Sequence, residues 1–497
     1  MIMALMQLPT ELLQQIVPHT LPEGFECLAL TCKYLYTLCI PFLENYNNLR
    51  FHFRKFEYNK TNKDFRELRY HHDLLRFPDT ATSAYSLISR IAIEPTVGRY
   101  ILEADVSRDS HIYARLLPTV RENAGSETWR DRNEATRQLF ADSLYLREAG
   151  LDWKEFYGAM MEDVNGWRQS EHAAAFALTL LPNLRVLTPK LSGPRSSAPQ
   201  KLITTVLQTA RENPYGNFSL AQVTTYSGSC DISWVPLLLA LPRIKKFWGH
   251  GYMGKAEDDN CIESSYLGTD LDSKLEVAGF YDASVDAVAI AGFLKHTPSL
   301  KSLTYWHSTK ANGGQQDWDL CGLIAAVQDE VGSHLEHLCA LTLELRCLIT
   351  PGKPYLHGFQ RLESLELPLD IILCNFEAAH PADHPADHGS LDSNSLIGDI
   401  VPASVSVLSL LSPGKSPHDK ALELLFRDFA SQKQFQTPNL KKILLTCPDD
   451  ADELYKAQCA NLAVEAKRVG VDLTLSEDLC LISTVDLGED ICFPFYS

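Results

Sequence analysis

Apolar positions recur along the first 40 residues at helical spacing. Leu12, Leu13, Ile16 and Val17 fall at i, i+1, i+4 and i+5, one face of a helix that Pro9 can open. Glu11 in its first turn suits the positive end of the helix dipole, and Pro18 is expected to stop it. A second helix is predicted from Pro22, with Phe25, Leu28, Ala29 and Cys32 on one side. Leu35, Leu38 and Cys39 continue the pattern until Pro41, where it is expected to break. A piece of this size is too small to bury so much apolar surface by itself. The rest of the chain or another protein must cover it.

Further along, a phrase repeats: a turn residue, then apolar-x-x-apolar. It reads Leu181-Pro182-Asn183-Leu184-Arg185-Val186-Leu187, Leu241-Pro242-Arg243-Ile244-Lys245-Lys246-Phe247, Thr297-Pro298-Ser299-Leu300-Lys301-Ser302-Leu303 and Thr437-Pro438-Asn439-Leu440-Lys441-Lys442-Ile443. Looser copies are Ser333–Leu338 and Phe359–Leu367. Each copy ends a helical pattern, such as Phe176–Leu181 or Val285–Leu294, and opens a short strand. Further strands are predicted at Tyr100–Val106, Leu220–Tyr226, Lys274–Phe280, Ser404–Leu410 and Val471–Ser476. A helix–turn–strand unit that cannot bury its apolar face until a neighbour stacks on it is the pattern of repeat proteins.

The opening Leu8-Pro9-Thr10-Glu11-Leu12-Leu13 and the later Leu28-Ala29-Leu30-Thr31-Cys32-Lys33-Tyr34-Leu35 resemble the F-box, which docks substrate receptors onto the Skp-type adaptor of cullin–RING ubiquitin ligases. The repeated phrase resembles leucine-rich repeats, with irregular spacing and without the usual asparagine. The combination resembles fungal F-box proteins, whose Leu180-Leu181-Pro182-Asn183-Leu184 and Ile93–Ile101 stretches this chain shares in kind. The resemblance implies an α/β chain: an N-terminal three-helix F-box, then an irregular leucine-rich-repeat-like solenoid of short parallel strands and helices. It places the F-box in residues 1–45, a linker in 46–90 and the substrate-binding repeats in 91–497. Carried over by position, the adaptor contacts are Leu8, Pro9, Leu12, Ile16, Leu28, Cys32 and Leu35. The match departs at Val17-Pro18-His19-Thr20, where the family more often keeps hydrophobic helix. The implied function is a substrate-recognition adaptor of a Skp–cullin–F-box ligase, with that adaptor, the cullin core and a protein substrate as partners. A scaffold without ligase function, or a hydrolase whose triad forms only in the fold, are the alternatives.

Composition narrows the classes. The 497 residues are 45% hydrophobic and 22% charged, an ordinary balance for a chain with a substantial core. A net charge of −18 disfavours phosphate-backbone and anionic-membrane binding. The basic residues in 121–137 interleave with Glu122, Glu127, Asp131 and Glu134, as on a solvated helical face. The 13 cysteines are scattered, many inside apolar runs, with no C-x-x-C pair, and read as free buried thiols. The first residues lack a basic n-region, and no apolar run reaches the ~18 residues of a membrane span. A reducing cytoplasm or nucleus is the expected location.

The linker aromatics Phe51, Phe53, Phe56, Tyr58 and Phe65 are expected to pack onto the first repeat, or else to form a peptide-binding surface. Residues 190–200, 251–269 and 307–317 read as exposed loops, the expected partner contacts. His380-Pro381-Ala382-Asp383-His384-Pro385-Ala386-Asp387-His388 offers three imidazoles, but its prolines oppose the helix that would align His384 with His388. It reads as a duplicated loop. His71-His72-Asp73, His334 and His337 read as surface histidines. With neither a nucleophile elbow nor a phosphate-binding glycine loop, the sequence implies no catalytic residue, metal or cofactor.

Overall fold

The computed structural model describes residues 7–57, 83–107, 127–165, 170–191, 197–230, 234–250, 253–254, 273–308, 310–311, 314–315, 317–342, 349–350, 352, 356–372 and 396–477. The chain is α/β and divides into two compact units, Met1–Gly228 with Ala240–Ile244, and Ser229–Leu239 with Lys245–Ser497.

The first unit opens with three helices, α1 (Thr10–His19), α2 (Phe25–Thr31) and α3 (Lys33–Phe53). Strand β1 (Lys55–Glu57), helices α4 (Ala84–Ile93) and α5 (Val97–Tyr100), and strand β2 (Glu103–Asp105) follow. Next come α6 (Glu127–Ala141), α7 (Leu144–Glu148), α8 (Trp153–Asn165) and α9 (Glu171–Leu178). Strands β3 (Val186–Thr188) and β4 (Lys190–Leu191), helix α10 (Ala198–Glu212) and strand β5 (Thr225–Cys230) end the succession. β1, β2, β3 and β5 pair in parallel, in that order.

The first helix ends at His19, one residue after Pro18, whereas Pro41 does not break its helix as the sequence suggested. Pro18 lies in the last turn of α1, and Pro41 lies inside α3. An interior proline costs about 3 kcal/mol through its lost N–H and its ring clash. Leu35, Leu38 and Cys39 before Pro41, and Tyr46, Leu49 and Phe53 after it, are all buried on one face of α3. Burying such side chains stabilises by about 1.5–3 kcal/mol each, so packing outweighs the local penalty. The same burial carries α3 past residue 45 and takes in two of the linker aromatics. Phe53 and Phe56 are buried, Phe51 is exposed, and Tyr58 and Phe65 lie outside the described residues.

The second unit contains α11 (Val235–Leu239), β6 (Lys246–His250), β7 (Met253–Gly254), β8 (Val277–Val285), α12 (Ala287–Leu294) and β9 (Ser302–His307). The short strands β10 (Lys310–Ala311) and β11 (Gly314–Gln315) pair antiparallel. Then come α13 (Leu320–Val331), β12 (His337–Thr342), β13 (Ser364–Pro368), α14 (Leu396–Ile400) and β14 (Val407–Leu411). The last elements are α15 (His418–Leu425), α16 (Phe429–Phe435), β15 (Lys442–Thr446), α17 (Glu453–Arg468) and β16 (Asp472–Ser476). β6, β8, β9, β12, β13, β14, β15 and β16 form a parallel sheet in chain order.

The repeated phrase sets the register of that sheet. Its second apolar position falls in one row, Phe247, Ala278, Leu303, Leu338, Leu365, Leu408, Ile443 and Leu473 across the strands. The first apolar positions Leu300, Leu335, Leu362, Val405 and Leu440 are buried beside it. A backbone bond closes the turn before the strand, as from Leu300 N to Thr297 O (3.0 Å) and Leu440 N to Thr437 O (3.1 Å). The carbonyl just before each strand then accepts two amides from the next strand. Lys301 O takes Glu336 and His337, Glu336 O takes Glu363 and Ser364, and Ser406 O takes Lys441 and Lys442. The interrupting helices are capped by side chains: Asp286 accepts from Ala289 N (2.8 Å) and Asp319 from Gly322 N (2.8 Å). From α12, Phe293 packs on Phe247 and Phe280, which marks the helix-covered face of the sheet.

All three expected loops contain regular structure. Pro199 and Gln200 are buried in the first turn of α10, where proline is favoured, and Lys190–Leu191 form β4. Residues 307–317 include the antiparallel β10–β11 pair. In 251–269, Met253 and Gly254 pair with Ser284 and Val285 of β8, and the remainder lies outside the described residues.

Candidate docking surface

The three N-terminal helices bury some of their apolar residues and leave others exposed. Leu13 and Val17 of α1, Phe25 and Ala29 of α2, and Leu35, Leu38 and Cys39 of α3 are buried. Leu8 just before α1, Leu12 on it, Leu30 on α2, and Tyr34, Tyr36 and Ile40 on α3 are exposed. Leu30 has 83% of its surface accessible. Helices α1 and α3 are joined by a 2.7 Å hydrogen bond between the Thr10 and Tyr34 hydroxyls, and α2 and α3 by the Arg50–Glu26 ion pair.

The carried-over contact set therefore splits. Leu8, Pro9 and Leu12 are exposed, and Ile16, Leu28 and Cys32 are half-buried. Leu35 is 1% exposed, so it supports the helices from within and presents nothing to a partner. Leu30, Tyr34 and Ile40 occupy the surface instead. The sequence signal for them was the apolar residue left over after each helix has filled its inward face.

A polar clamp fixes these helices to the parallel strands of the same unit. Glu23, between α1 and α2, receives the Arg99 guanidinium as a fork, with Nε to Oε1 at 3.0 Å and Nη2 to Oε2. Asn183, in the first copy of the repeated phrase, donates through Nδ2 to the Arg99 carbonyl at 2.7 Å and also to Glu23 Oε1 (2.5 Å). Underneath, Phe25, Tyr46 and Tyr100 form a row with centroid separations of 4.6 and 5.8 Å. Burial pushes the Tyr100 hydroxyl up to about 12. The helices are thus held at a set orientation by residues from α5 and from the turn before β3.

In the second unit, the sheet face opposite Phe293 carries a different chemistry. Trp248, His250, Tyr281, Trp306, Cys339 and Glu366 occupy it at alternate positions of β6, β8, β9, β12 and β13. His250 stacks on Tyr281 at 5.3 Å, and Tyr281 meets Trp306 edge-on at 5.1 Å. Gly279 lies beneath the Trp248 indole, and a Cβ there would come within 2.1 Å of the ring.

Acid–base chemistry is represented by a pair that sequence spacing could not join. His418 Nε2, at the start of α15, lies 3.1 Å from Asp370 Oδ1, just beyond β13. His418 is buried, and its Nδ1 has no hydrogen-bond partner among the described residues. A triad needs a hydroxyl or thiol on that second nitrogen. The pair by itself makes no such triad. Among the described residues no group of three His, Cys, Asp or Glu could hold a metal ion. The histidines at 71, 72, 380, 384 and 388 lie outside those residues. No described helix is long and apolar enough to cross a membrane. No protein-family model matches the chain, and no curated protein matches it in sequence.

Proposed function

We propose that the chain is a substrate-recognition adaptor of a Skp–cullin–F-box type ubiquitin ligase. The N-terminal helices are its F-box, and the strand–helix succession behind them is an irregular leucine-rich-repeat-like solenoid that binds the target protein. The observation that carries this reading is the set of apolar side chains, Leu8, Leu12, Leu30, Tyr34 and Ile40, left exposed on three helices that bury their other apolar residues. Exposed apolar clusters of this kind mark protein interaction sites. The one-row register of the repeated phrase supports the solenoid reading.

The mechanism is proximity. The clamp of Glu23, Arg99 and Asn183 gives the docking helices a fixed orientation against the strands of the same unit, and a target bound to the chain is brought near a ubiquitin-charged conjugating enzyme. The chain supplies effective concentration and no bond-making group. The net charge of −18 favours targets with basic patches, which a salt titration of binding would register.

A pull-down of a Skp-type adaptor with the wild-type chain and with a Leu8→Ala/Pro9→Ala variant tests the reading. Retention should fall at least about tenfold, equivalent to about 1.4 kcal/mol. Absence of binding by folded wild-type chain would reduce the N-terminal helices to a cap on the repeats.

A further inference from the structure

In the first unit, the carboxyl ends of β2 and β3 meet the first turns of α9 and α10 at a pocket. Ligands of parallel α/β sheets gather at such strand ends. Val106 follows β2 and Pro189 follows β3. With Ala175 and Leu178 of α9 and Pro199 and Ile203 of α10, they give the pocket buried apolar walls. Its interior measures about 40 Å³. A bound water takes about 10–15 Å³ of such space, so about three or four non-hydrogen atoms fit, the tip of one side chain. Ser107, Ser170, Glu171 and Gln200 bring polar groups to the same pocket. Both hydroxyl protons are already committed: Ser107 Oγ donates to Asp105 Oδ1 at 2.6 Å, and Ser170 Oγ donates to Asp163 Oδ2 at 3.2 Å. Ser170 Oγ also caps α9 by accepting from Ala173 N. Toward an occupant these oxygens can only accept. Among the described lining residues none is basic, and the nearby His172 Nδ1 lies 3.4 Å from Asp163 Oδ2. The two helix N-termini contribute about half a positive charge each, which the carboxylates of Glu171, Asp105 and Asp163 outweigh.

We propose that this pocket binds the guanidinium group of an arginine side chain in a protein or peptide ligand. Its four non-hydrogen atoms match the space, and its five N–H donors match a lining that offers acceptors from β2, α9 and α10. An ammonium group would carry the same charge, but it is more strongly hydrated and loses more on entering apolar walls. The aliphatic stem of the arginine lies against those walls while its charged tip meets Glu171 and the serine oxygens. On the function proposed above, the arginine belongs to the target, and only that assignment rests on the adaptor reading. The pocket chemistry stands without it.

The test is saturation-transfer NMR on the full chain, a method suited to weak ligands of large proteins. The probe is the tripeptide N-acetyl-Gly-Arg-Gly amide, with its lysine and citrulline counterparts as controls. The arginine peptide should saturate the protein, and the neutral citrulline peptide should bind about tenfold more weakly or worse. Glu171→Gln, at an exposed position, should weaken the arginine peptide by about threefold. Ala174→Leu narrows the same pocket from a half-buried position and should abolish binding. Thermal melts establish that each variant is folded, and where Ala174→Leu is not, Glu171→Gln decides. Adaptor retention by the same variants should be unchanged, so failure of the pocket and failure of adaptor docking are told apart. The proposal is overturned if folded wild-type chain does not bind the arginine peptide, or if the lysine or citrulline peptide binds equally well. Wild-type affinity in folded Glu171→Gln overturns it too.

Discussion

Cys339 and Glu366 are register partners on adjacent parallel strands, and both are buried. Trp306 of β9 packs against the cluster that holds Cys339, so three neighbouring strands meet at this pair. Glu366 is 6% exposed, and burial raises its carboxyl from 4.5 to about 7. Burial also raises the Cys339 thiol well above its ordinary range. Around Glu366, the ionisable groups on the same face include Cys339, His337 two residues before it on β12, Tyr281 and His250.

That burial dictates a pH dependence. The folded carboxyl binds its proton more tightly than the unfolded one, so its contribution is fully present below pH 4.5 and is lost as pH rises through about 7. The full difference is about 3 kcal/mol by the conversion of a pKa change into free energy. Denaturant melts between pH 5 and 8 should show a decline that Glu366→Gln flattens. A slope unchanged in the variant would assign the dependence to other groups.

The split in the N-terminal helices predicts opposite outcomes for two leucines. Leu35→Ala empties a buried position and should destabilise by about 2–5 kcal/mol. Leu30→Ala removes an exposed side chain and should move stability by no more than about 0.5 kcal/mol. On the proposed docking surface, Leu30→Asp should weaken adaptor retention without lowering the melting temperature. Thermal denaturation and pull-down on the same preparations separate the two effects.

Particular residues show why parts of this architecture were legible in sequence and others were not. Leu300 and Leu303, or Leu440 and Ile443, could be read because the strand needs apolar groups at those positions and a turn residue just before them. The copy ending at Leu408 lacks the Leu-Pro or Thr-Pro opening and was visible only as a strand. Pro41 misled because a local cost was weighed without the burial on both sides of it. Leu365-Glu366-Leu367 alternates as a half-exposed strand does, which assigns Glu366 to solvent; its burial is decided by tertiary packing. Similarly, Leu35 fits the docking motif by position, but its direction on α3 follows from how three helices pack.

The clamp at Glu23 predicts a local effect with a small global one. Glu23 and Arg99 side chains are 44% and 39% exposed, and exposed ion pairs contribute about 1 kcal/mol or less. Glu23→Ala should leave the melting temperature within a few degrees of wild type. Amide exchange in residues 20–24 and 97–100 should accelerate, because Arg99 and Asn183 lose their shared acceptor. Unchanged exchange in both segments would mean that the Phe25–Tyr46–Tyr100 row alone holds the helices.

Gly279 offers the strictest test of the aromatic face. It is the register partner of Trp248, whose ring fills the space a side chain would take, 2.1 Å from a built Cβ. A gap that small cannot be absorbed by a few tenths of an ångström, so Gly279→Ala must displace the indole toward Tyr281, 5.9 Å away between ring centroids. Overpacking of this kind costs about 1–3 kcal/mol. If the clash with the indole is the cause, the penalty should shrink in a Trp248→Leu background, with a coupling of about 0.5 kcal/mol or more in a double-mutant cycle. Strictly additive effects would place the cost in the β8 backbone, whose pairing with β9 shifts register between Phe280 and Ala283. Urea midpoints for the wild type, the two single variants and the double variant decide between them.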